Sequence, residues 1–554
     1  MKIKKILALV LAMIMTLSLA ACGDGSAQST ATNASGNETT AAETGEDSGG
    51  QDTAATEEDT IAAAYDGPAS IVCNISADPQ GFDVWTGSGS FQLKYLIYET
   101  LYITDYEGNN NPNPHIIKDV TFSDDGMSMD IEIYDDIHAQ DGCQFKASDI
   151  IWSLESGLGA NIARFVSVFD VPSCEATDDT HAHLVFADKW IDFNTDSLAM
   201  IYLACEESYN ASPDHYYFTG LAGTGPYMVE SYTEGNEVIL VPNPDYDNRG
   251  SDYWGNQNLD RITCKVISES SQALIEYETG AIDLVTQPDL NDLEFYGSLE
   301  ETDVINTAMN KNLCLCYNCS SASVLNNQKL REAISYAIDK DAIFNKALQG
   351  VKMPANGVTN PVCATYDPDH VDPHEYDIDK AKEMMKEAGY ENGLTLRMAY
   401  STSNGSHYPT MAAVIQNQLA EIGITIEIEP YDNATFSSII LTEDGWDITL
   451  TQYKSVINGM FHMWNLVNDN KKNNPFWEDS EFQDLLAKTL YSNDEKDIEK
   501  LVDMYEEACP YYTIGYETVQ FIVRGGVEDV KFIGDNRFFP NEWNYATAEW
   551  SHHE

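Results

Sequence analysis

Hydrophobic and polar positions divide this 554-residue chain into three stretches of different character. Lys2, Lys4 and Lys5 precede an apolar run from Ile6 to Ala21, which has the anatomy of an export signal and is short for a membrane span. From Gly23 to about Gly67 the chain is Ser, Thr, Ala, Asn and Gly with scattered acids, a pattern with no core-forming positions that predicts disorder. Beyond Ala69 two periods are interleaved. Met129, Ile131 and Ile133 alternate with Asp130 and Glu132, and Ile424, Ile426 and Ile428 alternate with Thr425 and Glu427, so both segments predict half-buried strands. Leu313, Leu315 and Tyr317 alternate with Cys314 and Cys316 and predict another strand, with small apolar residues on one face. Ala381, Met384, Met385 and Ala388 recur at helical spacing behind an N-cap at Asp377, and Gly389 is placed to close that helix. Leu330, Ala333, Ile334, Ala337 and Ile338 form a second helical stripe. Met411, Ile415, Leu419 and Ile422 form a third, stopped by Gly423, and Ile498, Leu501, Val502 and Tyr505 a fourth. These stripes read as core faces, and their mixture with strands predicts an α/β fold without internal repeats.

Composition narrows the function. The net charge of −60, from 90 acidic and 30 basic residues, lacks the cationic footprint that nucleic-acid binding needs. The body after residue 68 is too long for one small core and predicts two or three subdomains. No second apolar run approaches membrane-spanning length. Eleven cysteines are spread too widely for a disulfide framework to be read from them. The oxygen clusters at Asp367, Asp369 and Asp372 and at Asn243, Asp245 and Asp247 lack the Gly and closing Glu of an EF-hand loop, and Cys314, Cys316 and Cys319 have no second ligand pair, so neither a metal nor a cofactor is expected. There is no G-x-S-x-G elbow, no H-E-x-x-H, no Walker A sequence and no G-x-G-x-x-G after a strand, which leaves an enzyme unsupported.

Leu19-Ala20-Ala21-Cys22 resembles the lipobox of bacterial lipoproteins, in which the cysteine thiol receives a diacylglycerol and becomes the new N-terminus. That resemblance implies a signal peptide over 1–21, lipidation at Cys22 and a tether over 22–68. Two acyl chains give stable anchoring. A flexible tether of roughly 45 residues reaches on the order of 35–40 Å.

A series of motifs in fixed order carries a second resemblance. It begins with Ile97-Tyr98-Glu99-Thr100-Leu101 and Asp105-Tyr-Glu-Gly108, then Phe122-Ser-Asp-Asp-Gly126, Ile137-His-Ala-Gln-Asp141-Gly142 and Phe145-Lys-Ala-Ser-Asp149-Ile-Ile-Trp-Ser153. It continues with Gly223-Thr-Gly225-Pro226-Tyr227, Asn243-Pro244-Asp245-Tyr246, Leu259-Asp260-Arg261-Ile262 and Gly280-Ala-Ile-Asp283. Lys329-Leu-Arg331-Glu-Ala333-Ile-Ser-Tyr-Ala337-Ile-Asp339 and Tyr376-Asp377 through Ala388-Gly389-Tyr390 follow, with Ile415-Gln416 and Leu419 to Gly423-Ile424 at the end. In this order the chain resembles the family 5 extracytoplasmic solute-binding proteins, the dipeptide, oligopeptide and nickel-binding group of ABC importers.

The resemblance implies a periplasmic-binding-protein-like α/β fold of type II, cluster C, with two lobes, a hinge and an extra subdomain. By analogy the first lobe combines 69–115, 222–320 and 520–554, the added subdomain is 116–221, and the second lobe is 321–519. Gly223, Gly225 and Pro226 suit a chain crossing between lobes, because glycine allows backbone angles closed to other residues and proline fixes the next. The implied partners are a peptide or small-molecule ligand, permease subunits with their ATPases, and the membrane through Cys22, for a monomer held at the extracytoplasmic face of the cell membrane.

Tyr98, Thr100, Gln452, Tyr453 and Lys454 are the expected cleft residues. Peptide-binding members carry a segment reading roughly D-h-h-h-x-G-W-x-x-D (h apolar), whose second Asp pairs with the ligand ammonium. Here Asp447-Ile-Thr-Leu-Thr-Gln452-Tyr453-Lys454-Ser455-Val456 puts Val456 where that acid should be. A buried cation without a carboxylate is costly, so a free peptide N-terminus has lost its expected counter-charge unless another acid moves in. Lys454 would suit a carboxylate, a phosphate or a polar neutral ligand, or points to solvent. A ligand-presenting sensor, a binder of an oligosaccharide or metal complex, and a surface hydrolase reusing the fold stay open beside a peptide importer.

Overall fold

Two long strands organise the protein. The computed structural model describes residues 69–550 except 87–90, 106–108, 161, 189–196, 349–352, 364–365, 406, 455–474, 490–493, 534–536, 546–547 and 549. Cys22, the tether and Val456 lie outside the described residues. Residues 63–554 form one unit.

The strands of its two larger sheets, in chain order, begin with β1 (Ser70–Ile75), β2 (Ile117–Phe122), β3 (Ser128–Ile133), β4 (Glu175–Ala176) and β5 (His181–Val185). They continue with β6 (Tyr227–Thr233), β7 (Glu237–Pro242), β8 (Arg261–Val266), β9 (Leu284–Thr286) and β10 (Thr302–Tyr317). The last four are β11 (Leu394–Ser401), β12 (Ile424–Tyr431), β13 (Ile448–Lys454) and β14 (Tyr511–Arg524). One sheet runs β6-β7-β8-β1-β9-β14-β10-β13-β11-β12, and a separate four-stranded sheet runs β2-β3-β5-β4.

The cores follow from the periodicity. Met129, Ile131 and Ile133 all point inward from β3 and pack with Ile150 and Leu154 of the helix Ala147–Gly157, making a core of their own for the four-stranded sheet. On β10 the alternation sorts residues between two hydrophobic clusters. Leu313, Leu315 and Tyr317 join Met411, Ile415 and Leu419, whereas Cys314 and Cys316 face Leu501 and Tyr505. Each fully buried leucine of this kind contributes about 1.5–3 kcal/mol relative to an exposed one. The helix Ile378–Glu387 starts at Asp377, whose carboxylate accepts from the Asp379 and Lys380 amides at 3.1 and 2.9 Å, a cap worth about 1 kcal/mol. Gly389 then turns the chain at φ +88°, where a side chain would be strained.

The first-lobe core holds Val519, Phe521 and Val523 of β14, and the second-lobe core holds Tyr512 and Ile514 of the same strand. β10 changes cores in the same way, after Met309 and before Leu313, and its pairing with β14 shifts register between Ala308 and Asn312. These two strands therefore carry the chain from one lobe to the other. A register shift in paired strands bends the ladder locally, which suits a neck between lobes.

Candidate functional site

Strand direction decides where a ligand can sit. β1, β8 and β9 are parallel, and β9 pairs antiparallel with β14 so that Leu284 faces Val523 and Thr286 faces Phe521. The carboxyl ends of all three first-lobe strands therefore point toward residue 517. In the second lobe β11, β12 and β13 are parallel, and β13 pairs with β10 so that Ile448 faces Tyr317 and Lys454 faces Lys311. Their carboxyl ends point toward the same neck from the other side. Ligands of open α/β sheets bind outside the carboxyl ends of the strands, and here both sets converge.

At the convergence lies a polar cluster. Lys311 Nζ on β10 is 3.3 Å from Glu517 Oε2 on β14. With its amide nitrogen turned toward β14, as hydrogen bonding requires, Gln452 on β13 donates to Glu517 Oε2 at 2.9 Å. Glu517 is 14% exposed and Lys311 24%, so the pair is shielded but reachable. Burial raises the Glu517 carboxyl above its ordinary value, and Lys311 opposes the rise without cancelling it. The Glu517 charge also acts on Tyr408, the first residue of the helix Tyr408–Ala420; its hydroxyl is buried and, among the described residues, has no hydrogen-bond partner. A paired but incompletely satisfied charge cluster of this kind can exchange partners with a charged ligand.

The expected cleft residues separate under this geometry. Gln452 lies in the cluster, and Lys454 ends β13 opposite Lys311. Tyr453, one residue from each, falls on the opposite face of the strand: it is 5% exposed, belongs to the core with Leu501 and Tyr505, and its hydroxyl accepts from Asn312 Nδ2 at 3.0 Å. Tyr98 and Thr100 are fully buried, with the Tyr98 hydroxyl donating to the Phe82 carbonyl at 2.9 Å and the Thr100 hydroxyl to the Tyr102 carbonyl at 2.7 Å. Neither faces the neck cluster through these bonds. Sequence reasoning missed Lys311, Tyr408 and Glu517. A signal was present for the last: Glu517 is the one charged residue in the run Tyr511–Val523.

The residue between Tyr98 and Thr100 explains the motifs. Glu99 is fully buried and receives four side chains: His115 Nδ1 at 2.6 Å, Thr224 Oγ1 at 2.9 Å, Tyr246 Oη at 3.0 Å and Asn113 Nδ2 at 3.2 Å. Thus the 97–101, 223–227 and 243–246 motifs meet at one carboxylate. The expected hinge residues belong to this hub. Gly225 N donates to the Ile97 carbonyl at 2.9 Å, and a Cβ on Gly223 or Gly225 would lie 2.2 or 2.4 Å from the carbonyl oxygens of Ile97 or Leu96. Neither glycine has a positive φ, so close approach, not special backbone angles, requires glycine there. The segment leads from the 116–221 region into β6 of the first lobe, and the crossing between lobes is made by β10 and β14.

The match to known proteins agrees with this architecture. The family model described as bacterial extracellular solute-binding proteins, family 5 (middle), matches residues 111–474. The chain belongs to that family. Among curated relatives, the glutathione-binding protein GsiB of Escherichia coli (strain K12) is 25% identical over 403 residues, covering 68% of this chain and 74% of GsiB. Among solved structures, the periplasmic murein tripeptide binding protein MppA in its unliganded open form superposes with a TM-score of 0.75 at 16% identity, covering 87% of this chain and 98% of MppA. The oligopeptide-binding protein AppA from Bacillus subtilis, in complex with a nonapeptide, gives 0.63 at 18% identity, covering 86% and 99%. At these identities the structures speak for the fold. As a family 5 member the protein is an extracytoplasmic substrate-binding component of an ABC importer and not an enzyme. Among the described residues no helix is long and apolar enough to cross a membrane.

Proposed function

We propose that this protein captures peptides or related zwitterionic organic solutes at the neck and delivers them to a membrane permease. Glu517 takes the ligand ammonium and Lys311 takes the carboxylate; Lys454 is the residue paired with Lys311 in strand register. The carrying observation is the Glu517–Lys311 pair at the point where both sets of parallel strands end. A zwitterion replaces each partner of this pair with an equivalent charge, so neither buried group is left bare. Glu517 would thereby supply the counter-charge that Val456 cannot. A lipid on Cys22 and the acidic tether behind it would hold the cleft beside the permease.

Native mass spectrometry of the purified protein, followed by denaturation and identification of what is released, tests the ligand class. Short peptides or another amino-carboxylate solute support the reading; a neutral sugar overturns it. Cys22→Ser tests the anchor: the variant should leave the membrane fraction and fail to incorporate radiolabelled palmitate, and retention with unchanged labelling would refute lipidation there.

A further inference from the structure

Two pairs of cysteines meet in the folded chain, and their surroundings differ. Cys143 Sγ and Cys205 Sγ are 2.9 Å apart across a sequence separation of 62. Cys143 sits half-buried on the 138–144 loop, while Cys205 is 1% exposed at the start of the helix Glu206–Ala211. The second pair, Cys73 and Cys264, has its sulfurs 3.2 Å apart and stands in direct register on the parallel strands β1 and β8, where both residues are at most 1% exposed.

We propose that Cys143 and Cys205 form a disulfide in the exported protein, while Cys73 and Cys264 stay reduced. The compartment favours it, since disulfides persist outside the cytoplasm. Access favours the first pair, because thiol–disulfide exchange needs an attacking thiolate that an oxidant can reach. The oxidant is a disulfide. Cys143 thiolate, having lost its proton, attacks one sulfur of that disulfide and releases the other as a thiolate; Cys205, deprotonated in turn, attacks the mixed bond and expels the second. One S–S bond forms in the protein, one breaks in the oxidant, and two electrons and two protons pass to it, yielding two thiols.

The bond has a structural consequence. The 138–144 loop carries Gln140, whose amide nitrogen donates to the Gly223 carbonyl at 2.9 Å and whose side chain donates to the Tyr227 carbonyl at 2.8 Å. Cys205 N donates to the Ala222 carbonyl at 3.0 Å. The disulfide would therefore clamp both sides of the segment that joins the added subdomain to the first lobe, and closing a loop of this length restricts the unfolded chain.

The test equilibrates the purified protein with oxidised glutathione, denatures it, alkylates free thiols and maps peptides without reduction. The expected result is a linked Cys143–Cys205 peptide pair, about 2 Da lighter than the two thiol peptides together, that disappears with reductant, beside alkylated Cys73 and Cys264. Thermal melts should show a lower Tm on reduction of the wild type and no response in the Cys143→Ser, Cys205→Ser double variant. Alkylated Cys143 and Cys205 after oxidation, or each capped by glutathione without a link, would overturn the proposal. The peptide map on wild-type protein decides the matter even if the double variant does not fold.

Discussion

Glu99 and Glu517 are both carboxylates shielded from water, and their surroundings give them opposite roles. Glu99 is wrapped by four donors, Thr224 and Tyr246 from two other motifs and Asn113 and His115 from the stretch between, so nothing remains for a ligand to supply. Glu517 has one cation and one amide, partial exposure and a carboxyl raised by burial. A fully satisfied charge fixes geometry, while a shielded and under-satisfied one is a place where binding energy can be released. The sequence motifs cluster at the first and leave the second unmarked.

Glu99→Ala leaves four buried donors without their acceptor and should destabilise the protein by about 3–5 kcal/mol, read by chemical denaturation, with ligand affinity unchanged in the folded fraction. A loss under about 1 kcal/mol would show that the hub is not a structural keystone. Gly223→Ala comes next. Its Cβ would meet the Ile97 carbonyl oxygen at 2.2 Å, backbone that cannot swing aside, so a cost of about 1–3 kcal/mol is expected. If the segment were instead a free hinge, Gly223→Ala would shift domain-closure rates with little effect on the melting midpoint.

At the neck the ordering of effects reverses. Glu517→Gln should weaken binding of an ammonium-bearing ligand by about 1.5–3 kcal/mol, measured by titration calorimetry, while stability changes little. The sign of that smaller change follows from linkage. A carboxyl whose folded pKa is raised contributes stability that is present below its unfolded value, near 4.5, and lost as pH rises through the folded value. At neutral pH the charged Glu517 therefore costs stability, and Glu517→Gln should raise Tm slightly, an exchange of stability for function. Ligand affinity of the wild type should fall as pH drops through that same raised value. Variant and wild type with equal affinity at pH 7 would remove Glu517 from the site.

Several elements were legible in the chain because they depend on short-range periodicity. The alternation in β3, the Asp377 cap and the two faces of β10 all rest on residues within a turn or two of one another, and the structure places them as the pattern implies. Within β13 the same alternation separates Gln452 from Tyr453, yet only burial shows which of the two faces the core. The grouping of Lys311, Gln452 and Glu517 was not legible. Their contacts span 65 to 206 positions, and a lone acid or base in a strand carries no mark of its partner.

What the sequence alone determined is the family, through motifs in fixed order, and the α/β character, through interleaved periods of two and 3.6. Tertiary structure decided what those motifs do. Glu99 lies more than a hundred positions from Thr224 and Tyr246 in the chain, and they become neighbours only when the separate segments of the first lobe fold together. The direction of parallel strands, fixed by long-range pairing, then aims both lobes at a neck that no local pattern announces. Local periodicity reports which side of an element is apolar; which polar groups meet depends on how the elements are threaded, and only the folded chain holds that information.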